Sequence, residues 1–312
     1  MPHSSSTLHL TIADGVATIV LDNPPVNVLS ATMMKDLHTV LGELRDDDAV
    51  RVIVFSSANP DFFIAHADLR IFEEQDLFDE LAAAAPEGVN VYQAVGELLR
   101  NQPQPIIVKL AGKTRGGGAE FVAAADIVFA ATETAGLGQI ESLMGIAPGG
   151  GGTQYLSERV GRNRAMEIIL TGELYDATTA AAYGWVNRAV PAAELDAFVD
   201  EFARNIANLA DGVTRGVKQI LSPTPPLEGY KREQTMLADL LAGPTVIPLM
   251  MKGLEQGFAR RRRRGRRTGV DQHRPRRRRR TTVRRRQALG FGPRDELLCQ
   301  GEFVNRKLFA IG

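Results

Sequence analysis

Two glutamates and a run of glycines are the residues of this sequence best suited to chemistry. Glu120 follows the triple glycine at residues 116–118, and Glu141 lies 21 positions further on, before the Pro-Gly run at residues 148–152. Glycines let a backbone turn sharply and approach a ligand closely, and a helix that begins there directs free N–H groups at whatever binds. The pattern predicts amide donors that stabilise an oxyanion beside two carboxyl groups that move protons.

The apolar periodicity of the chain predicts an α/β core that positions this segment. A β-hairpin is expected at residues 7–12 and 16–21, and Ser30 is the predicted N-cap of a helix that runs through Leu44. Residues 71–87 are expected to form a loop or lid with short acidic helical pieces. Further strands are predicted at residues 52–55, 105–110, 126–130 and 186–190. Further helices are predicted at residues 89–100, after the glycines, and at 162–170, 177–183, 195–209 and 227–258.

Size and composition favour a soluble globular protein. The 312 residues are 44% hydrophobic, which is enough for one large domain or two smaller ones. No apolar run reaches the roughly 18 residues of a membrane span. The first seven residues lack both arginine and a hydrophobic stretch, so we expect no secretory signal, no membrane association and a cytoplasmic location.

Cysteine and histidine usage gives no sign of a metal site or a disulfide. The single cysteine is Cys299, so no intrachain disulfide can form and the preceding residues have no thiol nucleophile. The five histidines are scattered without the spacing of metal ligands. We therefore predict that the protein binds no metal.

The charge of the chain is divided between its body and its last 53 residues. Residues 260–312 contain 19 Lys and Arg against 4 Asp and Glu, about +15, which leaves about −15 for residues 1–259. Sixteen arginines fall within residues 260–286, a composition that predicts disorder because little apolar surface can be buried. Two interpretations of these residues remain open. They are a tail that binds nucleic acid or another anionic surface, or an aberrant C-terminus read in the wrong frame. We favour the second interpretation and therefore expect no nucleic-acid partner.

Four sequence segments occur in the order and at the distances of a known family. They are Leu-Asp-Asn-Pro through Asn-Val-Leu at residues 21–29, Phe-Ile-Ala-His-Ala-Asp-Leu at residues 63–69, Gly-Gly-Gly-Ala-Glu at residues 116–120, and Gly-Gln-Ile-Glu through Gly-Gly-Thr-Gln at residues 138–154. In these segments the chain resembles the crotonase family of enoyl-CoA hydratases and isomerases, over roughly residues 8–258.

The resemblance implies a fold, a substrate and an assembly. The implied fold is an α/β superhelix of β/β/α units in residues 1–200, followed by a helical C-terminal region, residues 201–258, that builds trimers or hexamers. Residues 259–312 form the Arg-rich tail. The implied substrate is an acyl-CoA thioester of fatty acid metabolism; coenzyme A is then part of the substrate, and no cofactor is expected.

The resemblance also implies roles for residues of the four segments. The amides of Ala67 and Gly117 match the pair that holds the thioester oxygen, and Glu120 and Glu141 match the two carboxyl groups that hydratases use. Glu120 is assigned to the attacking water and Glu141 to the α-proton, although these roles can be exchanged or shared. Further contacts to the acyl-CoA are expected from Ala65, His66, Asp68, Leu69, Arg70, Gly116, Pro148 and Gly149.

Two features depart from the family pattern. His66 stands where the family usually has glycine, and there it can narrow the acyl entrance or be a tolerated loop substitution. The charged residues 113–115 are unusual beside an acyl pocket.

The sequence therefore predicts an enoyl-CoA hydratase. The alternatives are an enoyl-CoA isomerase, another crotonase-type lyase or hydrolase, or a nucleic-acid-binding protein that uses the arginine tail. Because an isomerase can work with one carboxyl group, the presence of both glutamates favours hydration.

Overall fold

The computed structural model describes residues 6–68, 71–222 and 224–249. The Arg-rich tail, the last part of the predicted 227–258 helix and two predicted acyl-CoA contacts, Leu69 and Arg70, lie outside the described residues.

The strands and helices follow one another along the chain in an alternating α/β order. They are β1 (Leu8–Ala13), β2 (Val16–Leu21), α1 (Ala31–Arg45), β3 (Val52–Ser57), α2 (Gln75–Ala84), α3 (Val91–Arg100), β4 (Ile106–Leu110), β5 (Lys113–Arg115), α4 (Gly117–Ala124), β6 (Ile127–Ala131), β7 (Gly136–Gly138), α5 (Gly152–Val160), α6 (Arg162–Thr171), β8 (Tyr175–Asp176), α7 (Ala177–Tyr183), β9 (Arg188–Val190), α8 (Leu195–Ala207), α9 (Val213–Leu221) and α10 (Leu227–Leu241). Two short 3-10 helices, Ile71–Glu74 and Glu141–Met144, complete the order.

Two sheets organise the core. The larger has the strand order β1-β2-β3-β4-β6-β9, in which β1 and β2 are antiparallel and the other pairs are parallel. The smaller has the order β5-β7-β8. Strands β3 and β4 are apolar and almost wholly buried, as expected for parallel strands covered on both faces. The predicted α/β class is confirmed.

The predicted hairpin and the helix after it are confirmed in detail. Asp14 and Gly15 both have positive φ, 51° and 77°, the geometry of the tight hairpin turn between β1 and β2. Ser30 caps α1 by accepting a hydrogen bond from the amide of Met33 at 3.1 Å.

Residues 71–87 are more ordered than the predicted loop or lid. A 3-10 helix and the ten-residue α2 occupy most of this segment. The Glu74 carboxylate accepts hydrogen bonds from the Ala31 amide at 3.0 Å and from the Thr32 hydroxyl, which fixes the segment to the start of α1. The Phe78 ring packs against Tyr92 of α3, with 6.0 Å between centroids. Tertiary contacts therefore stabilise helices whose local pattern is weak.

The smaller sheet leads the chain into α4. Strand β5 pairs in parallel with β7, and the Gly116 amide donates to the Gly138 carbonyl at 2.9 Å. The short strands β5, β7 and β8, and the helices α5 and α9, were not predicted, because two or three residues are too few to show an alternating pattern and α5 begins inside a glycine run.

The helices of the predicted oligomerisation region, residues 201–258, divide their apolar residues between intrachain packing and solvent. In α10, Tyr230 and Glu233 are buried against the body of the protein, whereas Leu227, Met236 and Leu241 are exposed. In α9, Ile220 and Leu221 are 82% and 74% exposed. The predicted oligomerisation region thus contains a face that packs within the chain and another that is uncovered.

In the described part of the chain, every helix is too short or too polar to cross a bilayer.

Replacing Gly118 by alanine is expected to destabilise the fold. The new methyl group would meet the Ile64 carbonyl oxygen and would stand 2.7 Å from the Thr114 hydroxyl, so backbone must move. Overpacking of this kind costs roughly 1–3 kcal/mol of the free energy of unfolding, measured by urea denaturation. The matched control is Gly216→Ala in α9, where nothing lies within 4 Å and helix propensity favours alanine. Equal stability of the two variants would contradict this packing account.

Candidate functional site

The loop that carries Ala67 is held by the residues on either side of it. The Leu29 amide donates to the His66 carbonyl at 2.9 Å, and the Asp68 amide donates to the Leu29 carbonyl at 3.0 Å. These two bonds form a parallel bridge between Leu29 and Ala67. In such a bridge the N–H of the middle residue points away from the partner strand. The Ala67 amide is therefore directed away from Leu29.

The amide of Gly117 is the second unused donor, because Gly117 is the first residue of α4. The first hydrogen bond of the helix runs from the Glu120 amide to the Gly116 carbonyl at 2.9 Å, so the N–H groups before Glu120 have no helical carbonyl to which they can donate. Gly116 has φ 50° and ψ −125°, a backbone that only glycine adopts easily. A methyl group built on Gly116 would stand 2.9 Å from Oε1 of Glu141, so the chain and the carboxylate are close.

The structure brings Ala67 and Gly117 together. A methyl group built on Gly117 would lie 3.2 Å from the Ala67 nitrogen and 3.1 Å from its Cβ. Within residues 6–68, 71–222 and 224–249, neither amide donates a hydrogen bond. Two neighbouring, unused N–H groups, one of them at the start of a helix, form a suitable pair for binding one oxygen with negative charge.

Glu120 is anchored through one oxygen. Its Oε1 accepts hydrogen bonds from the amides of Gly150 and Gly152, both at 2.9 Å, and the side chain is 5% exposed. Among the residues that the structure describes, none donates a hydrogen bond to Oε2. A side chain on Gly150 or Gly152 would collide with this carboxyl group. The glycine run is therefore needed for the close approach of backbone to Glu120.

Glu141 starts the second 3-10 helix and is paired with the residue two positions before it. Both of its carboxyl oxygens lie 3.0 Å from Nε2 of Gln139, which donates to them, and Glu141 is 7% exposed. The same Gln139 nitrogen lies 3.2 Å from a methyl group built on Gly152, which in turn would be 2.7 Å from Oε1 of Glu120. Gln139 thus lies between the two glutamates.

Both carboxyl groups hold their protons more tightly than an ordinary glutamate. Burial raises the pKa of Glu120 well above its usual value, and the negative charges of Glu141 and Glu233 raise it further, against the two amide donors. Burial raises the pKa of Glu141 to about 7, although the Gln139 bond opposes this. Two close carboxyl groups of this kind retain a shared proton near neutral pH.

A small cavity lies beside Glu120 and Gly117. Its volume is about 10 Å³, close to what one water molecule needs. The lining is otherwise mostly apolar: Leu29, Tyr92, Val95, Gly96, Phe121 and Gly150. Burial, followed by the charges of Asp68 and Glu120, raises the pKa of the Tyr92 phenol, which keeps it neutral at physiological pH.

His66 lies in the site without the backbone strain that its replacement of glycine could have required. Among the described residues, the positive-φ positions other than glycine are Asp14 and Asn27, so His66 needs no left-handed backbone. Its Nδ1 donates to the Ala67 carbonyl, and its ring is buried. Burial lowers the pKa of His66 to about 4, and the charge of Arg115 acts in the same direction. The imidazole is therefore neutral at pH 7.

The remaining predicted contacts occupy different environments. Ala65 is fully buried in a small apolar cluster with Val26, Val28 and Phe62. Asp68 is buried beside the Ala67 loop, and Pro148 is buried at the start of the glycine run. The Gly149 carbonyl accepts from Nδ2 of Asn90 at 2.7 Å, and its Cα packs against Leu237 of α10. Their roles in binding acyl-CoA stay predictions.

Sequence reasoning missed Glu233, a further buried carboxyl group close to the glutamate pair, and gave no role to Gln139. Glu233 lies on the same face of α10 as Tyr230 and Leu237, at helical spacings of three and four residues. The available signal was an acidic residue on the apolar face of a predicted helix. Because unpaired carboxylates are rarely buried, such a residue indicates a carboxyl group with specific hydrogen-bond partners.

In the described part of the chain, no group of three or more His, Cys, Asp or Glu side chains is arranged to hold a metal ion.

Comparison with known proteins identifies similar sequences and similar structures. The sequence model of the enoyl-CoA hydratase/isomerase family matches residues 11–241. A carnitinyl-CoA dehydratase of Proteus mirabilis is 33% identical over 230 residues, which cover 73% of this chain and 85% of that protein.

Solved structures agree with this match. A crystal structure from Streptomyces avermitilis, provisionally named an enoyl-CoA hydratase, shares 62% identity and a TM-score of 0.79 over 81% of this chain and 93% of that one. The enoyl-CoA hydratase of Bacillus anthracis shares 26% identity and a TM-score of 0.63 over 82% and 97% of the two chains. From the fold, the motifs and these matches together, the chain is a member of the enoyl-CoA hydratase/isomerase, or crotonase, family.

Proposed function

We propose that the protein is an enoyl-CoA hydratase that adds water across the double bond of an α,β-unsaturated acyl-CoA thioester. The observation that carries this proposal is the meeting of two unused amides, of Ala67 and Gly117, with two buried glutamates whose pKa values are raised. An acyl-CoA substrate is consistent with membership of the enoyl-CoA hydratase/isomerase family.

The two amides would stabilise the charge that develops during addition. As water attacks the β-carbon, electron density moves onto the thioester oxygen and gives an enolate-like state. Donors that are already in place stabilise that state without reorganisation, and the loss of one donor typically costs about 2.7–4 kcal/mol. The N-terminus of α4 adds the favourable end of its dipole.

The two glutamates would move the protons. We assign the attacking water to Glu120, which lines the water-sized cavity and whose Oε2 accepts no hydrogen bond from the described residues, and the α-proton to Glu141. Because the two groups titrate as a coupled pair, the single proton can reside on either one, and the roles of base and acid can be exchanged. This division requires one ionised and one protonated carboxyl group, which is the state that a buried pair sharing one proton supplies. The proposed reaction uses only protein groups and substrate. We therefore predict that no cofactor is required, and activity that persists after dialysis against a chelator would support this prediction.

The dehydratase relative favours the same chemistry in reverse. Loss of water from a 3-hydroxyacyl-CoA passes through the same enolate-like state as hydration, so one site serves both directions. An isomerase moves a proton without adding water and needs only one of the carboxyl groups. The second glutamate, held by Gln139 at 3.0 Å, therefore favours hydration or dehydration over isomerisation.

We also propose that the chain assembles into trimers or hexamers. The support is the uncovered apolar face of α9, which includes Val217, Ile220 and Leu221, because monomers rarely expose such a cluster. A cytoplasmic location stays a prediction.

Replacing either glutamate by glutamine is expected to lower kcat for hydration by about 10²–10⁴-fold, the usual contribution of one positioned acid or base. Glu120→Gln can keep both amide bonds through its remaining oxygen, so its melting temperature should not fall. The assay follows loss of the conjugated absorbance across enoyl-CoAs of different chain lengths, with carnitinyl-CoA run towards dehydration. The matched control is Glu158→Gln, an exposed partner of Arg100. Wild-type turnover by Glu120→Gln would refute the proposal.

The pH dependence of kcat/KM is expected to be bell-shaped with a displaced acid limb. Below both pKa values of the pair no base is available, so activity falls as the pH drops through about 7, the raised value found for Glu141. Above both values no acid is available. An acid limb near the ordinary glutamate pKa of about 4.3 would contradict the buried pair.

Sedimentation velocity is expected to give a species of three or six chains for the wild type. The double variant Val217→Glu with Ile220→Glu should sediment as a monomer, because two charges would be buried at the interface. Lys231→Glu, on the exposed side of α10, serves as the charge control. A monomeric wild type would exclude the assembly.

A further inference from the structure

The glycine loop at residues 150–153 is shared between two buried carboxyl groups. The amides of Gly150 and Gly152 donate to Glu120, both at 2.9 Å. The amides between and after them, of Gly151 and Thr153, donate to Glu233 at 2.7 and 3.0 Å. Four successive N–H groups thus alternate between a carboxyl group of α4 and one of α10.

The alternation depends on the backbone of Gly151. Its φ of 96° and ψ of −1° are left-handed, and a left-handed residue within such a loop directs successive N–H groups into a concave site for anions. A side chain here would also collide with the ring of Tyr155. The loop therefore has two anion-binding faces, and the position of one face fixes the position of the other.

Glu233 has every acceptor position occupied by protein. Besides the two amides, it accepts from Nε2 of Gln93 at 2.9 Å and from the Thr153 hydroxyl at 2.7 Å, and it is 4% exposed. A buried carboxylate is tolerated when donors of this number surround it. Because no acceptor position remains for substrate, Glu233 is suited to holding the loop rather than to reacting.

The helix that carries Glu233 is itself fixed to the body of the protein. One turn earlier, the buried Tyr230 hydroxyl bonds to the Glu97 carboxylate of α3 and to the Tyr155 hydroxyl of α5, the latter at 2.7 Å. Gly229 packs closely against Gln154. Glu233 therefore stands at a defined place relative to α3, α4 and α5.

Glu233 also acts on the glutamate pair through its charge. The groups facing it are neutral Gln93 and Thr153 and the carboxyl groups of Glu120 and Glu141. Burial raises the pKa of Glu233 itself, and its four donors oppose that rise. In its ionised form Glu233 raises the pKa of both glutamates, and neutral Tyr92 on α3 adds no charge of its own.

We propose that Glu233 is a positioning residue, which sets the orientation of Glu120 by holding the opposite face of the 150–153 loop. This inference rests on the proposed function, in which Glu120 exchanges a proton with the reacting water. It assigns to the C-terminal helix a direct part in arranging the site, in addition to any part in assembly.

The test is Glu233→Gln, measured as kcat, KM and the pH profile of hydration. Glutamine keeps one oxygen but places its amide nitrogen against two donors. About half of the hydrogen bonds that hold the 150–153 loop are therefore lost. We expect kcat to fall about 10–100-fold, as for small misplacements of a catalytic group, with little change in KM. The acid limb should move to lower pH, because the charge that favours protonation of the pair is removed.

Two controls on the same helix separate positioning from simple helix docking. Tyr230→Phe removes the hydroxyl that anchors α10, and it should lower the melting temperature while leaving the acid limb in place. Glu228→Gln makes the same chemical change as Glu233→Gln on the exposed face and should behave as wild type. If Glu233→Gln does not fold, Glu233→Asp keeps the charge and shortens the reach; it should lower kcat without moving the acid limb.

The outcomes distinguish this inference from the proposed function. Undiminished hydration by Glu120→Gln would refute the proposed function. An inactive Glu120→Gln together with a Glu233→Gln of wild-type kcat, or with an acid limb that is unmoved or raised, would refute the role of Glu233 alone. A readout without substrate is the carbon-13 titration of the Glu120 carboxyl, assigned by its loss in Glu120→Gln; its midpoint should fall in Glu233→Gln.

Discussion

The site depends on burying carboxyl groups against backbone amides rather than against basic side chains. Glu120 is held by two amides of the glycine loop and has no cation beside it among its hydrogen-bond partners in the described residues. An adjacent cation would favour the ionised form and lower the pKa, whereas neutral amides offset part of the desolvation and leave the pKa high. This choice of partner keeps a proton available near neutral pH. It also explains the glycines, because backbone can approach a carboxyl group this closely only where no Cβ intervenes.

The two proposed oxyanion donors, like the groups that hold Glu120, are backbone amides. A parallel bridge to Leu29 uses the groups on either side of Ala67 and leaves its own N–H unused. The first turn of α4 leaves the N–H of Gly117 unused, since no helical carbonyl precedes it. The two come together because β5 pairs with β7 at the entrance to α4, while the Ile64 carbonyl accepts the Arg115 amide at 3.3 Å. Secondary structure thus supplies both donors without any side chain.

The features that depend on local sequence could be predicted, whereas those that depend on contacts between distant segments could not. Ser30 and the Asp14-Gly15 turn are local signals, so the first helix and hairpin could be predicted to within a residue or two. The two glutamates could be predicted because glycines and carboxylates lie together in an ordered set of motifs. Helix α2 was underestimated because its stability comes from contacts with α1 and α3 rather than from its own pattern. Glu233 was missed because its partners are 80 to 140 residues away in the chain.

The most direct test is a crystal structure of the protein with a bound 3-hydroxyacyl-CoA product. We expect the thioester oxygen to lie about 2.7–3.1 Å from the nitrogens of both Ala67 and Gly117. We also expect the 3-hydroxyl group to lie within hydrogen-bonding distance of Glu120 and the α-carbon to face Glu141. A thioester oxygen bound elsewhere, or a hydroxyl group turned away from both glutamates, would refute the proposed arrangement of the site.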